Sequence, residues 1–164
     1  MAEVLVRRAV RDDLPRIVQL FEQADELHRD ALPWLFRKVE EPRSPRLLET
    51  FISGTDRAAL VAIEGEGSPP AGALFIMVRE VVKAPVVRPA RVAEIDSLVV
   101  DRSSRRRGVG KSLVRAALLW ARDVQAARTE LGVYDFNEGA RLFWESMGFA
   151  TVFRRMSRTL DGLP

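Results

Sequence analysis

A chain of 164 residues is long enough for one domain with a sizeable core and short for two, so a single domain over residues 1–164 is expected. Its 47 % hydrophobic and 30 % charged content is that of a globular protein, and no apolar run approaches the roughly 18 residues a membrane helix needs. The net charge of +3 comes from interspersed acids and bases with no nucleic-acid motif, so neither nucleic acid nor membrane is an expected partner. The absence of cysteine excludes disulfides, a Cys nucleophile and Cys metal ligands, and no metal site is expected. His28, the single histidine, would have to carry any Ser-His-Asp triad alone. The charged N-terminal stretch lacks the apolar segment of a signal peptide, and a cytoplasmic location is expected.

Residues 4–10 read as a first strand. Asp12 or Asp13 can cap the helix that follows, with Pro15 in its first turn and an apolar stripe at Leu14, Ile17, Val18, Phe21 and Ala24. The stripe loses regularity near His28, and Pro33, Pro42 and Pro45 interrupt the next segment. Trp34, Leu35 and Phe36 lie there and are expected to plug the edge of the core. A short helix, PRLLETFIS, ends at Gly54. Residues 57–63 and 73–82 are apolar, β-rich runs joined by EGEGSPPAG, which implies a hairpin. Pro85 and Pro89 mark a turn before a strand over residues 92–100. A helix follows with Leu113, Ala116, Ala117, Trp120, Ala121 and Val124 on one face. A fifth strand over residues 129–136, a short helix over 138–147 capped by Asn137, and one or two strands over 149–160 complete the expected order. That order implies a mixed α/β fold, a central and mostly antiparallel mixed sheet covered on both faces by helices.

The stretch between the 92–100 strand and the helix carries the strongest chemical signal. Arg102, Arg105, Arg106 and Arg107 surround a loop that ends in Gly108-Val109-Gly110-Lys111-Ser112. Glycine lets backbone approach a ligand closely, and a helix start leaves N–H groups pointing outward at its positive end. Those features suit a phosphate or pyrophosphate. Two familiar nucleotide motifs fail on spacing. A P-loop would need glycine where Arg105 stands, and a dinucleotide fingerprint would need it where Leu113 stands.

Arg105-x-x-Gly108-x-Gly110 between a strand and a helix resembles the acetyl-CoA signature of the GNAT N-acetyltransferases. Asn137-x-x-Ala140-x-x-Phe143-Trp144-Glu145-x-x-Gly148-Phe149 resembles that family's second motif. The resemblance implies a GNAT-like fold and acetyl-CoA as acyl donor. Its pyrophosphate would meet backbone N–H groups from Arg106 to Lys111, with Arg105, Gly108, Val109, Gly110 and Ser112 in the same loop. Its pantetheine arm would pair with backbone groups of Leu98, Val99 and Val100 like an added strand. Asn137 and Trp144 match family positions near the cofactor. Asn137 also suits a helix N-cap, and Trp144 also suits core packing.

Only a neutral amine attacks an acyl group, so an acceptor ammonium must lose a proton. Glu94 precedes Gly108 by the spacing of the general-base glutamate in the histone-acetyltransferase branch. Asp96 lies two residues on, hence on the same strand face, and is the weaker alternative for that role. Trp144 stands where the family often places a general-acid tyrosine; indole does not serve as a proton donor at neutral pH. The expected activity is therefore acetyl transfer to a primary amine in a ternary complex. The competing reading is an acyl-CoA-binding sensor without catalysis. Dimers are common in the family, which makes a homodimer one expected assembly.

Overall fold

A computed structural model describes residues 3–39, 44–81, 85–158 and 160. The chain falls into two compact units, a larger one ending at Gly132 and a smaller one beginning at Val133. The larger unit holds five strands: β1 (Val4–Arg8), β2 (Arg57–Glu64), β3 (Gly72–Val81), β4 (Ala90–Val100) and β5 (Arg128–Leu131). They form one sheet in the order β1-β2-β3-β4-β5. The first three pairings are antiparallel and the β4–β5 pairing is parallel, the mixed and mostly antiparallel sheet expected.

Strand alternation assigns the two faces. Ala59 and Val61 of β2, Ala73 and Phe75 of β3 and Val99 of β4 join a buried cluster with helices α1 (Leu14–Ala31) and α2 (Pro45–Ser53). Ile17, Leu20 and Phe21 supply the α1 side of it, and Leu48 and Phe51 the α2 side. The Phe21 and Phe51 rings lie 5.0 and 4.9 Å from the Phe75 ring, contacts that stabilise by about 0.5–1.5 kcal/mol each beyond area burial. The opposite face, at Leu60, Ala62, Gly72 and Leu74, receives α3 (Val109–Asp123). Val109, Leu113, Val114, Ala117 and Ala121 form its buried stripe. Gly72 makes that close packing feasible, because a Cβ there would lie 3.0 Å from Val109 and 3.1 Å from Leu113.

Several boundaries differ from expectation for local reasons. Helix α1 extends through a charged final stretch, where Glu22 pairs with Arg29 at 2.7 Å and Glu26 with Arg102 at 2.6 Å. Asp13 occupies the position before α1 but does not cap it. Its carboxylate instead accepts from Arg7 at 2.6 and 2.9 Å and from the Val10 N–H at 2.8 Å. Strand β5 ends at Leu131, five residues before the expected end, where its parallel partner is Ile95. Trp34 and Leu35 are exposed and do not plug the core; Phe36 instead sits 5.2 Å from the His28 ring.

The smaller unit contains α4 (Glu138–Ser146). Asn137 caps it, its side-chain oxygen accepting from the Ala140 N–H at 3.1 Å. Trp144 is buried and meets Phe143 and Phe149 edge-on. Residues 149–158 form no strand. The strand expectation rested on alternation of Phe149, Thr151, Phe153 and Met156, but Phe153 and Met156 are 76 % and 92 % exposed, so that alternation buries no face.

Candidate active site

The loop between β4 and α3 is built on a frame of carboxylates. Asp101, directly after β4, accepts from the N–H and hydroxyl of Ser103 at 2.9 and 2.6 Å, which shapes the 3-10 turn Arg102–Ser104. It also accepts from Arg16 and from Gln23 of α1. The Ser103 contacts, with Arg16 and Gln23 adding to them against the opposing effect of burial, hold the Asp101 carboxyl well below the usual carboxylate range. Glu64, at the end of β2, ties the other side. One of its oxygens accepts from the Ser104 hydroxyl at 2.7 Å, and the other pairs with Arg107 at 3.2 Å. Sequence reasoning missed Glu64; its signal is an acid closing a strand that is apolar from Ala58 to Ile63.

Within that frame the backbone turns sharply. Arg106 has φ of 63° and Gly108 has φ of 90°, both left-handed. A Cβ at Gly108 would meet nothing within 4 Å, so the loop faces open space there. Helix α3 starts at Val109 with no side-chain cap, and its first N–H groups point outward. The arginines divide their work. Arg102 pairs with Glu26, Arg107 with Glu64, and Arg105 donates to the Val100 carbonyl at 3.2 Å. Arg106 and Lys111 are exposed beside the helix start, and Ser112 donates its N–H to the Gly108 carbonyl.

Strand β4 reaches this loop with one edge open. Strand β3 pairs with it from Ala90 to Val100, whereas β5 pairs only from Val92 to Ile95. Among the described residues no strand borders the β5 side of β4 beyond that point. The Asp101 N–H bonds the Ala71 carbonyl across to β3, so alternation turns the backbone groups of Leu98 and Val100 to the open edge. Those of Val99 turn toward β3, opposite Ala73.

The register of β3 and β4 shifts beside Phe75, where Asp96 is the extra residue between Ile95 and Ser97. Asp96 lines a pocket of about 290 Å³ together with Leu47, Leu48, Phe51, Arg57, Phe75 and Met77. Its carboxylate accepts from the Ser97 hydroxyl at 2.8 Å. Glu94 stands opposite Met77 in the register, but Arg79 holds its Oε2 at 2.7 Å. Arg79 also reaches Glu130 at 2.8 Å, directly across from Glu94 on β5. The two expected acids therefore have different surroundings, Glu94 in an ion-pair network and Asp96 in a pocket wall. Asn137 and Trp144 lie in the smaller unit, as its helix cap and its aromatic centre.

A basic, uncapped helix start beside an open strand edge has the shape and charge that suit an anionic, extended ligand. The acetyltransferase (GNAT) family model matches residues 21–149, and the chain belongs to that family of acyl-transferring enzymes. No curated protein matches the sequence. Among solved structures, a tetramutant of the BH1408 protein from Bacillus halodurans is 26 % identical, with a TM-score of 0.88 over 95 % of this chain and 99 % of that one. The fold is shared with glucosamine-6-phosphate N-acetyltransferase from Arabidopsis thaliana, at 18 % identity and a TM-score of 0.70 over 97 % and 99 % of the two chains. It is shared too with aminoglycoside N-acetyltransferase AAC(6')-Iy in complex with CoA, at 16 % identity and a TM-score of 0.71 over 94 % and 98 %. Among the described residues no helix is long and apolar enough to cross a membrane.

Proposed function

We propose that this protein transfers the acetyl group of acetyl-CoA directly to a primary amine. The observation that carries the reading is the open edge of β4 at Leu98 and Val100 leading into the uncapped start of α3. The N–H groups of Val109, Gly110 and Lys111 would hold the pyrophosphate, with Arg105 and Arg106 adding positive charge. Leu98 and Val100 would hold the pantetheine arm by strand-like hydrogen bonds. When bound, acetyl-CoA supplies the acyl group: the amine nitrogen bonds to the thioester carbon, the carbon–sulfur bond breaks, the amine gives up one proton and the thiolate takes one up.

The chain's own groups suit the remaining tasks. A β4 N–H at the open edge donates to the oxygen on which charge develops. Asp96 faces the pocket and attracts the acceptor ammonium, then receives its proton directly or through water. Glu94 is the second acid on offer, and its bond to Arg79 commits one of its oxygens elsewhere. Asn137 and Trp144 rest on family position alone. With no cysteine to carry an acyl group, direct transfer is favoured over a thioester on the enzyme.

The test is to incubate the protein with acetyl-CoA and a panel of primary amines, measuring free thiol and acetylated amine together. The reading expects equal amounts of both, and no thiol without amine. Cofactor binding without product from any amine would favour the sensor reading. Thiol release with acetyl left on the protein would overturn direct transfer.

A further inference from the structure

We propose that the acceptor is a primary amine with an apolar body, an arylalkylamine or a short alkylamine, bound in the pocket between α2 and the sheet with its ammonium at Asp96. This rests on the acyl-transfer reading above and specifies its acceptor. Leu47 and Leu48 of α2, Phe51, Phe75 and Met77 supply the apolar walls, and among the described lining residues none offers a side-chain hydroxyl or amide. Phe51 and Phe75 stack at 4.9 Å and 18° between ring planes, which gives the pocket a flat aromatic side.

The two charged lining residues are not equivalent. Arg57 is already engaged: it donates to both oxygens of Asp56, at 3.1 and 3.4 Å, and to the Thr50 hydroxyl at 3.3 Å. Its guanidinium also lies 5.5 Å from the centre of the Phe51 ring. Asp56 therefore compensates its charge. Among the described residues Asp96 makes no ion pair, and its described partner is a neutral hydroxyl, that of Ser97. Among the described lining residues, the charge left uncompensated is one carboxylate, which complements one ammonium.

A hydroxyl-rich body would place polar groups against side chains that cannot pair with them, and burying unpaired hydroxyls is unfavourable. A ring on a short linker buries apolar surface instead and presents its nitrogen to Asp96. The volume of about 290 Å³ suits a ligand of that size better than a multi-ring aminoglycoside.

The experiment compares phenylethylamine, hexylamine, glucosamine and kanamycin as acceptors, with acetyl-CoA binding followed separately by thermal shift. The proposal expects kcat/KM for phenylethylamine to exceed that for glucosamine by about tenfold or more. Asp96→Asn should raise KM for phenylethylamine by about tenfold or more while the acetyl-CoA thermal shift persists. Met77→Asp, which puts a second charge on an apolar wall, should weaken the apolar amines selectively. Equal or better turnover of glucosamine or kanamycin overturns the proposal, as does an unchanged KM in Asp96→Asn. If acetyl-CoA does not bind, the acyl-transfer reading fails, and calorimetric titration with phenylethylamine then decides the pocket: no binding overturns this proposal too.

Discussion

Arg16 of α1 donates to the carboxylate of Asp101, the residue that leads from β4 into the glycine loop. The same carboxylate accepts from Gln23 of α1 at 3.2 Å, and the Gln23 side-chain oxygen accepts from the Arg102 N–H at 3.1 Å. One acid thus joins the first helix, the end of the central strand and the turn that aims the loop. Asp101→Asn keeps the shape and removes the charge behind those bonds. We expect a loss of about 1.5–3 kcal/mol, measured by denaturant unfolding. Acetyl-CoA should also bind several-fold more weakly, because the turn before the loop is less firmly held.

Acid should act through the same residue. Asp101 and Asp13 both sit below the ordinary carboxyl value: Asp101 through its Ser103 hydrogen bonds, and Asp13 because Arg7 and the Val10 N–H overcome the opposing effect of burial. Each folded carboxyl then binds fewer protons than its unfolded counterpart below about pH 4. Their contribution is complete above that value and is lost as pH falls through the folded values. Melting temperature should therefore drop on acidification below about pH 4, and Asp101→Asn should show a shallower drop. A variant with the wild-type acid slope would remove Asp101 as its source.

Gly72 sets how closely α3 approaches the sheet. A Cβ there would lie 2.9 Å from the Val99 carbonyl oxygen as well as against Val109 and Leu113. The backbone oxygen cannot turn aside as a side chain can. Gly72→Ala should destabilise by about 1–3 kcal/mol in denaturant unfolding, with the first turn of α3 displaced.

Glu94 and Glu130 face each other across β4 and β5 with Arg79 bridging them. All three side chains are over a third exposed, so solvent screens the network. Arg79→Met should cost under about 1 kcal/mol, and the cost should shrink in a Glu130→Gln background, where less like-charge repulsion remains. In acetyl transfer, Glu94→Gln should reduce kcat less than Asp96→Asn does, measured as CoA release at saturating amine.

Much of this architecture is legible in the chain because it is local. The bounds of α2 follow from Pro45, its apolar residues and Gly54, and the strand–loop–helix run is marked by its change of period. Glycine hid the true start of α3. Gly110 reads as loop because glycine disfavours helix, yet burial of Val109 brings that turn into the helix. The long-range frame leaves almost no trace. Asp101 lies 85 positions from Arg16, and Ser104 lies 40 from Glu64. Nor does the sequence mark the register shift at Asp96, which separates its surroundings from those of Glu94. The apolar residues at 149–156 imitate a strand by alternation alone.

The most direct test of the central claim is thermal unfolding of the wild type, Gly108→Ala and Gly108→Glu with and without acetyl-CoA. A ligand at 100 times its dissociation constant stabilises by about 2.7 kcal/mol, which is several degrees for a chain of this size. Alanine tests strain at a φ of 90°, and glutamate adds a negative charge where the loop opens. The account predicts a clear shift in the wild type, a smaller one in Gly108→Ala and none in Gly108→Glu. An equal shift in all three would place the cofactor elsewhere, and no shift in the wild type at millimolar acetyl-CoA would contradict the proposed donor.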